Sequence, residues 1–94
     1  MLKFKRGFGD KVSYEIYDGL TTVTVYLNPG NMTLSWNKHR DKVKLTKETK
    51  EDIPTVMRCL TSCGLEVSTS DYEVIRDLIM DIIDISAIKV ADMY

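Results

Sequence analysis

Four carboxylates, Glu73, Asp77, Asp81 and Asp84, recur at a spacing that puts them on one side of a helix. With Val74 set at zero on a helical wheel, they fall together between about 260° and 340°. No lysine shares that arc, although exposed helices normally mix charge signs. A row of carboxylates of this kind can present negative charge to a basic site on a partner, much as a phosphate backbone would. The ordinary alternative is a solvated outer helix face. A Mg²⁺ or Ca²⁺ site is disfavoured because such ions need ligands clustered from several segments.

A second charged feature has the opposite sign. Lys38, His39, Arg40, Lys42 and Lys44 form a basic patch in the segment 38–47, which Lys47 extends. It could grip nucleic-acid phosphates, with strongly salt-dependent affinity, or serve as a lysine-rich edge that resists aggregation. The two features belong to a wider split. Residues 1–50 carry ten Lys/Arg against five acids, a charge of +5, and residues 51–94 carry three against nine, a charge of −6. The formal total of −1 hides this. A polyanion would be repelled by one half nearly as much as it is attracted by the other, so no shift of single-stranded DNA or RNA is expected at physiological salt.

Catalytic equipment is sparse. His39 is the sole histidine, and no Gly-rich phosphate loop or Ser–His pairing stands in the chain. Cys59 and Cys63, four apart, read as two small buried or half-buried thiols; a metal would need two more ligands. Cys59 is the only conceivable nucleophile, and its apolar helix face makes it inert. The sequence is therefore read as non-enzymatic, with no cofactor and no metal.

The elements that must hold these residues fall into a sheet half, 1–45, and a helical half, 46–94, of one domain of 94 residues. Val12, Tyr14 and Ile16 alternate with polar neighbours up to Asp18-Gly19. Val23, Val25 and Leu27 alternate up to Asn28-Pro29-Gly30-Asn31, and Met32, Leu34 and Trp36 follow. A two-residue turn at 18–19 pairs Ile16 with Thr21 and Tyr14 with Val23. The second turn pairs Leu27 with Met32 and Val25 with Leu34. Both registers put the apolar set on one face. Leu2 and Phe4 suggest a strand before these, and Val43 with Leu45 a short one after.

Ile53, Val56, Met57, Leu60 and Cys63 mark one helical face, with Asp52 as N-cap, Pro54 in the first turn and Gly64 as left-handed C-terminal cap; the less favoured alternative is a start at Thr46 with Pro54 as a kink. Ser70-Asp71-Tyr72-Glu73 reads as a capping box opening a second helix. Its apolar residues fill an arc of about 180°, wide enough to meet the sheet and either the first helix or a second subunit, so a homodimer is expected. The fold class is thus α+β: an antiparallel meander of three or four strands followed by two helices on one face. The core is Val12, Tyr14, Ile16, Val23, Val25, Leu27, Leu34, Trp36, Val56, Leu60, Val74, Leu78 and Ile82.

Two further points bear on location and on DNA. The basic N-terminus lacks an apolar h-region and no apolar run could span a bilayer, so a cytoplasmic protein without membrane contact is expected. Gly64–Ser68 between two helices suggests a helix-turn-helix, but the following helix would place Asp71, Glu73, Asp77 and Asp81 against phosphate, so DNA reading through it is rejected.

In general type, a small motif-poor α+β domain with a charge split is similar to small phage- or mobile-element-encoded proteins that inhibit host machinery, anti-CRISPR and other anti-defence proteins among them. No residue carries the resemblance, and no site is transferred from it. The functional expectation is a protein-binding inhibitor or adaptor that occludes a site on a larger host protein or nucleoprotein through Glu73, Asp77, Asp81 and Asp84. The alternative is a nucleic-acid-binding module using segment 38–47 and a polar sheet face bearing Tyr17 and Tyr26 among Lys3, Lys5, Thr22, Thr24 and Ser35.

Overall fold

A computed structural model describes residues 2–7, 12–46 and 48–92, with the backbone alone for His39 and 88–92. The sheet has five antiparallel strands in sequential order: β1 (Lys3–Arg6), β2 (Ser13–Tyr17), β3 (Thr22–Asn28), β4 (Thr33–Trp36) and β5 (His39–Lys44). Two helices follow, α1 (Thr49–Ser62) and α2 (Tyr72–Asp92), the second preceded by a 3₁₀ turn over Thr69–Asp71. The fold is α+β, with both terminal strands of the expected meander present rather than one.

Register departs from expectation in both central hairpins, by two residues each time. Ile16 pairs with Val23 and Tyr14 with Val25 across the first. Leu27 pairs with Leu34 and Val25 with Trp36 across the second. The loops are therefore four residues long. Local chemistry explains the first. The Asp18 carboxylate accepts the N–H groups of Leu20 at 2.9 Å and Thr21 at 2.8 Å, and the Asp18 N–H donates to the Thr21 carbonyl at 3.2 Å, so the turn centres on Gly19 and Leu20 instead of on Asp18 and Gly19. In the second, Asn28 Oδ1 accepts the Gly30 N–H and Asn31 Oδ1 accepts the Thr33 N–H, while Met32 takes the left-handed conformation at φ 55°. Side chains alternate with period two, so a two-residue shift keeps every apolar residue on the same face.

That face is closed by the helices. Of the expected core, all but Val12 and Val74 are buried, and those two pack against it partly covered. Leu2, Met32, Leu45, Ile53, Leu65, Ile75 and Ile79 join them. In the wide apolar arc of α2, Ile75, Leu78, Ile79 and Ile82 are buried against α1 and the sheet, while Val74 and Ile83 at its edges are partly covered.

Both helix starts differ from expectation: α1 begins earlier, and α2 is preceded by a 3₁₀ turn with its own cap. The Asp52 N–H donates to the Glu48 carbonyl at 2.9 Å, which places Asp52 inside α1, and Pro54 also lies within the helix. The buried Asp52 carboxylate instead accepts the Thr46 N–H at 3.0 Å and its hydroxyl at 2.9 Å, fixing the chain as it leaves β5. At α2 the capping residue is Ser68, not Ser70. The Asp71 carboxylate accepts the Ser68 N–H at 3.0 Å, and the 3₁₀ turn inserts before the regular helix. The end of α1 is as expected. Gly64 has φ 99°, and Leu65 N–H to Leu60 O with Gly64 N–H to Thr61 O completes a Schellman motif.

Candidate functional site

The outer side of α2 carries Glu73, Asp77 and Asp84, all exposed. The opposite side of the helix buries Ile75, Leu78, Ile79 and Ile82 at 1% exposure or less, so the acids are held by a helix that cannot roll. Arg76 lies beside them and approaches Asp77 at 3.7 Å, with both side chains solvated. Such a pair leaves the local charge negative and contributes little stability. Met80, 46% exposed, stands on the same side, one turn from Asp77 and from Asp84, with its sulfur 3.9 Å from the Thr49 hydroxyl at the start of α1. A lone apolar knob rimmed by carboxylates suits a contact in which charge orients and one side chain anchors. The sequence could have revealed Met80, because on the same wheel it falls at about 240°, beside the acidic arc and outside the apolar one.

Asp81 does not belong to this surface. It is half-buried and accepts the hydroxyl proton of Tyr14, with the oxygens 2.6 Å apart. That length is typical of a charge-assisted O–H···O⁻ bond. Burial first, and then this bond, hold the Tyr14 hydroxyl well above the ordinary tyrosine range, with Arg6 opposing and Asp84 assisting. Asp81 thus joins α2 to β2, and the expected stripe of four acids becomes an exposed group of three. Nothing in the helical spacing distinguishes Asp81, because its partner lies 67 residues away.

The basic residues lie elsewhere. Lys38 is exposed in the β4–β5 turn, His39 opens β5, and Arg40, Lys42 and Lys44 are exposed along that edge strand. Lys47 lies outside the described residues. Cations concentrate on the sheet and acids on the helices. Described residues up to 46 carry seven Lys/Arg against three Asp/Glu, and residues 48–92 carry four against ten. The split along the sequence becomes a split between two layers.

Two carboxylates do structural work that their spacing does not announce. Asp18 also accepts the Glu66 N–H at 3.1 Å from the interhelix connection. The N–H groups of Thr21, Leu20 and Glu66 lower its carboxyl to about 2. Asp71 accepts the buried N–H of Leu2 at 3.1 Å, and the Ser68 and Leu2 N–H groups lower it as well. A concavity of about 420 Å³ between these two carboxylates is lined by Thr61, Leu65, Glu66 and Ser68. Its two best acceptors, Asp18 and Asp71, are already committed to backbone donors. Cys59 and Cys63 are free and buried, and burial pushes both thiols up, away from the nucleophilic thiolate. Among the described residues no group of three or more His, Cys, Asp or Glu could hold a metal ion, and no helix is long and apolar enough to cross a membrane.

Comparison with protein-family models, with curated proteins and with solved structures finds no match to this chain.

Proposed function

We propose that the protein is a non-enzymatic binding module, an inhibitor or adaptor that docks the outer side of α2 on a basic site of a larger protein or nucleoprotein and occludes it. The observation that carries this reading is the exposed group Glu73, Asp77 and Asp84 on a helix whose other side is locked into the core. A rigid helix presents its charges without an ordering cost on binding, which favours affinity. The negative layer behind the three acids steers the approach to a basic partner. Its partner class is that of the small phage- or mobile-element-encoded anti-defence proteins that the chain resembles in type, and its place is the cytoplasm. A homodimer is part of the proposal: Ile75, Leu78, Ile79 and Ile82 are buried within the chain, while Val74, Ile83 and Ile85 are only partly covered and leave apolar surface for a second copy.

The experiment is charge reversal on each layer. Asp77→Lys/Asp84→Lys is expected to lose a partner that the wild-type protein captures from lysate, and Lys42→Glu/Lys44→Glu to keep it. Circular dichroism checks that both variants fold. Retention by the first variant with loss by the second would reject α2 as the docking surface.

A further inference from the structure

Among the described residues, no helix lies on the second face of the sheet. Lys3, Tyr17 and Thr22 stand in one cross-strand row, Ser13, Tyr26 and Ser35 in another, and Asn28, Thr33 and Lys44 in a third. These residues alternate with the buried set, and both helices lie on the buried side. The face is five strands wide, so about 19 Å separates its edges. Lys3 stands at one edge and Lys44 at the other, both exposed. Between the two tyrosine rows lies the row Lys5, Glu15 and Thr24, in which Lys5 is paired with Glu15 at 3.4 Å. Tyr26 is 43% exposed and Tyr17 is half-buried. The two tyrosines lie four residues apart along β2 and its partner, about 13 Å.

We infer that this open sheet face is a second binding surface, which takes an extended single-stranded nucleic acid. Tyr26 and Tyr17 are the stacking platforms, and Lys3 and Lys44 meet the backbone where it crosses the two edges. Tyrosine rings set among Ser and Thr hydroxyls offer flat π-faces with polar groups beside them, the arrangement that holds unpaired bases without strong sequence preference. An acidic protein surface would match the lysines but would leave the rings without a purpose.

The charge argument against nucleic acid weakens once the chain is folded. It treats the acidic and basic halves as equally close to the ligand. The acids lie in the helical layer behind the sheet, while a strand on the open face touches the cationic layer. At physiological ionic strength the screening length is about 8 Å, so charges across the intervening core act only weakly. This inference is independent of the docking proposed for α2, because the two surfaces are on opposite sides and either can fail alone.

The test is fluorescence anisotropy with a labelled oligothymidylate of about 12 nucleotides. The wild-type protein is expected to bind at low salt, with log affinity falling against log salt at a slope of about −1.4, as counterion release from the two phosphates met by Lys3 and Lys44 requires. Lys3→Glu/Lys44→Glu is expected to weaken binding at least tenfold, and Tyr26→Ala about five- to hundredfold. Asp77→Lys/Asp84→Lys, on the other layer, is expected to bind at least as well as the wild type. Circular dichroism verifies the fold of each variant. Absence of binding by the wild type at about 50 mM salt would overturn the inference, as would wild-type affinity in both sheet variants or loss of binding in the α2 variant. Equal competition by polyglutamate would show that the face reads charge alone and would overturn the assignment to nucleic acid.

Discussion

Tyr14→Phe isolates the side-chain bond to Asp81 that ties α2 to the second strand. The tyrosine residue is fully buried, and phenylalanine preserves its ring and its packing. What disappears is the hydroxyl that donates to Asp81 at 2.6 Å. Hydrogen bonds to charged groups contribute about 1.5–3 kcal/mol. Asp81 is only half-buried, so its freed oxygen can recruit water, and the loss falls at the lower end, about 1.5–2 kcal/mol. Urea unfolding at neutral pH reads this as a shift in midpoint at unchanged slope. Asp81→Asn and the double variant close a cycle, and the two changes are expected to be strongly non-additive. The hydroxyl also carries a pH signature. Its folded pKa is raised, so the bond stabilises fully below the ordinary value of 10 and the contribution fades as the pH rises above it. A Tyr14→Phe effect under about 0.5 kcal/mol, or additive single changes, would refute the claim that Asp81 is structural and return it to the exposed acidic group.

Three further outcomes are expected. Trp36→Ala, at a site 7% exposed, should destabilise by about 3–5 kcal/mol in a denaturant melt, and a change under about 1 kcal/mol would mean the inner face of the sheet is wrongly assigned. Asp71→Ala strands the buried N–H of Leu2 and should cost about 1–3 kcal/mol near neutral pH. Since the folded pKa of Asp71 is depressed below its ordinary 3.8, that contribution is present above this value and should vanish as acid titration carries the wild type below it, measured by melts across the acid range. Gly64→Ala forces a Cβ into φ 99° at the end of α1 and should lower stability by about 1–2 kcal/mol by the same assay.

The sequence was legible where a single periodicity decides the outcome. Alternation assigned Tyr14, Ile16, Val23, Val25, Leu27 and Leu34 to one face, and they are buried there. Face assignment depends only on parity, so it survived a register that slipped by two in both hairpins. The slip itself depends on whether Asp18 caps its own loop, a choice that the dipeptide Asp18-Gly19 does not reveal. The same side-chain ambiguity moved the helix starts. Asp52 has the residue type of an N-cap but spends its carboxylate on Thr46, and Ser68 and Ser70 differ only in which of them Asp71 reaches back to. In the acidic group, helical spacing located Glu73, Asp77 and Asp84 correctly. Asp81 was indistinguishable from them because its role comes from Tyr14, far away in sequence. The segregation of charge into layers followed from the sheet preceding the helices in the chain, and it was foreshadowed by the sign change near residue 50.

Site-specific photo-crosslinking tests the proposed docking of α2 most directly, because it reports proximity and not charge. A photoreactive residue is placed at Asp77 in one preparation and at Thr24, on the open sheet face, in another. Each is illuminated in lysate and analysed for covalent protein adducts. The account predicts a discrete protein adduct from position 77, suppressed by excess unlabelled wild-type protein, and none from position 24. A competed protein adduct from position 24 with none from position 77 would contradict it.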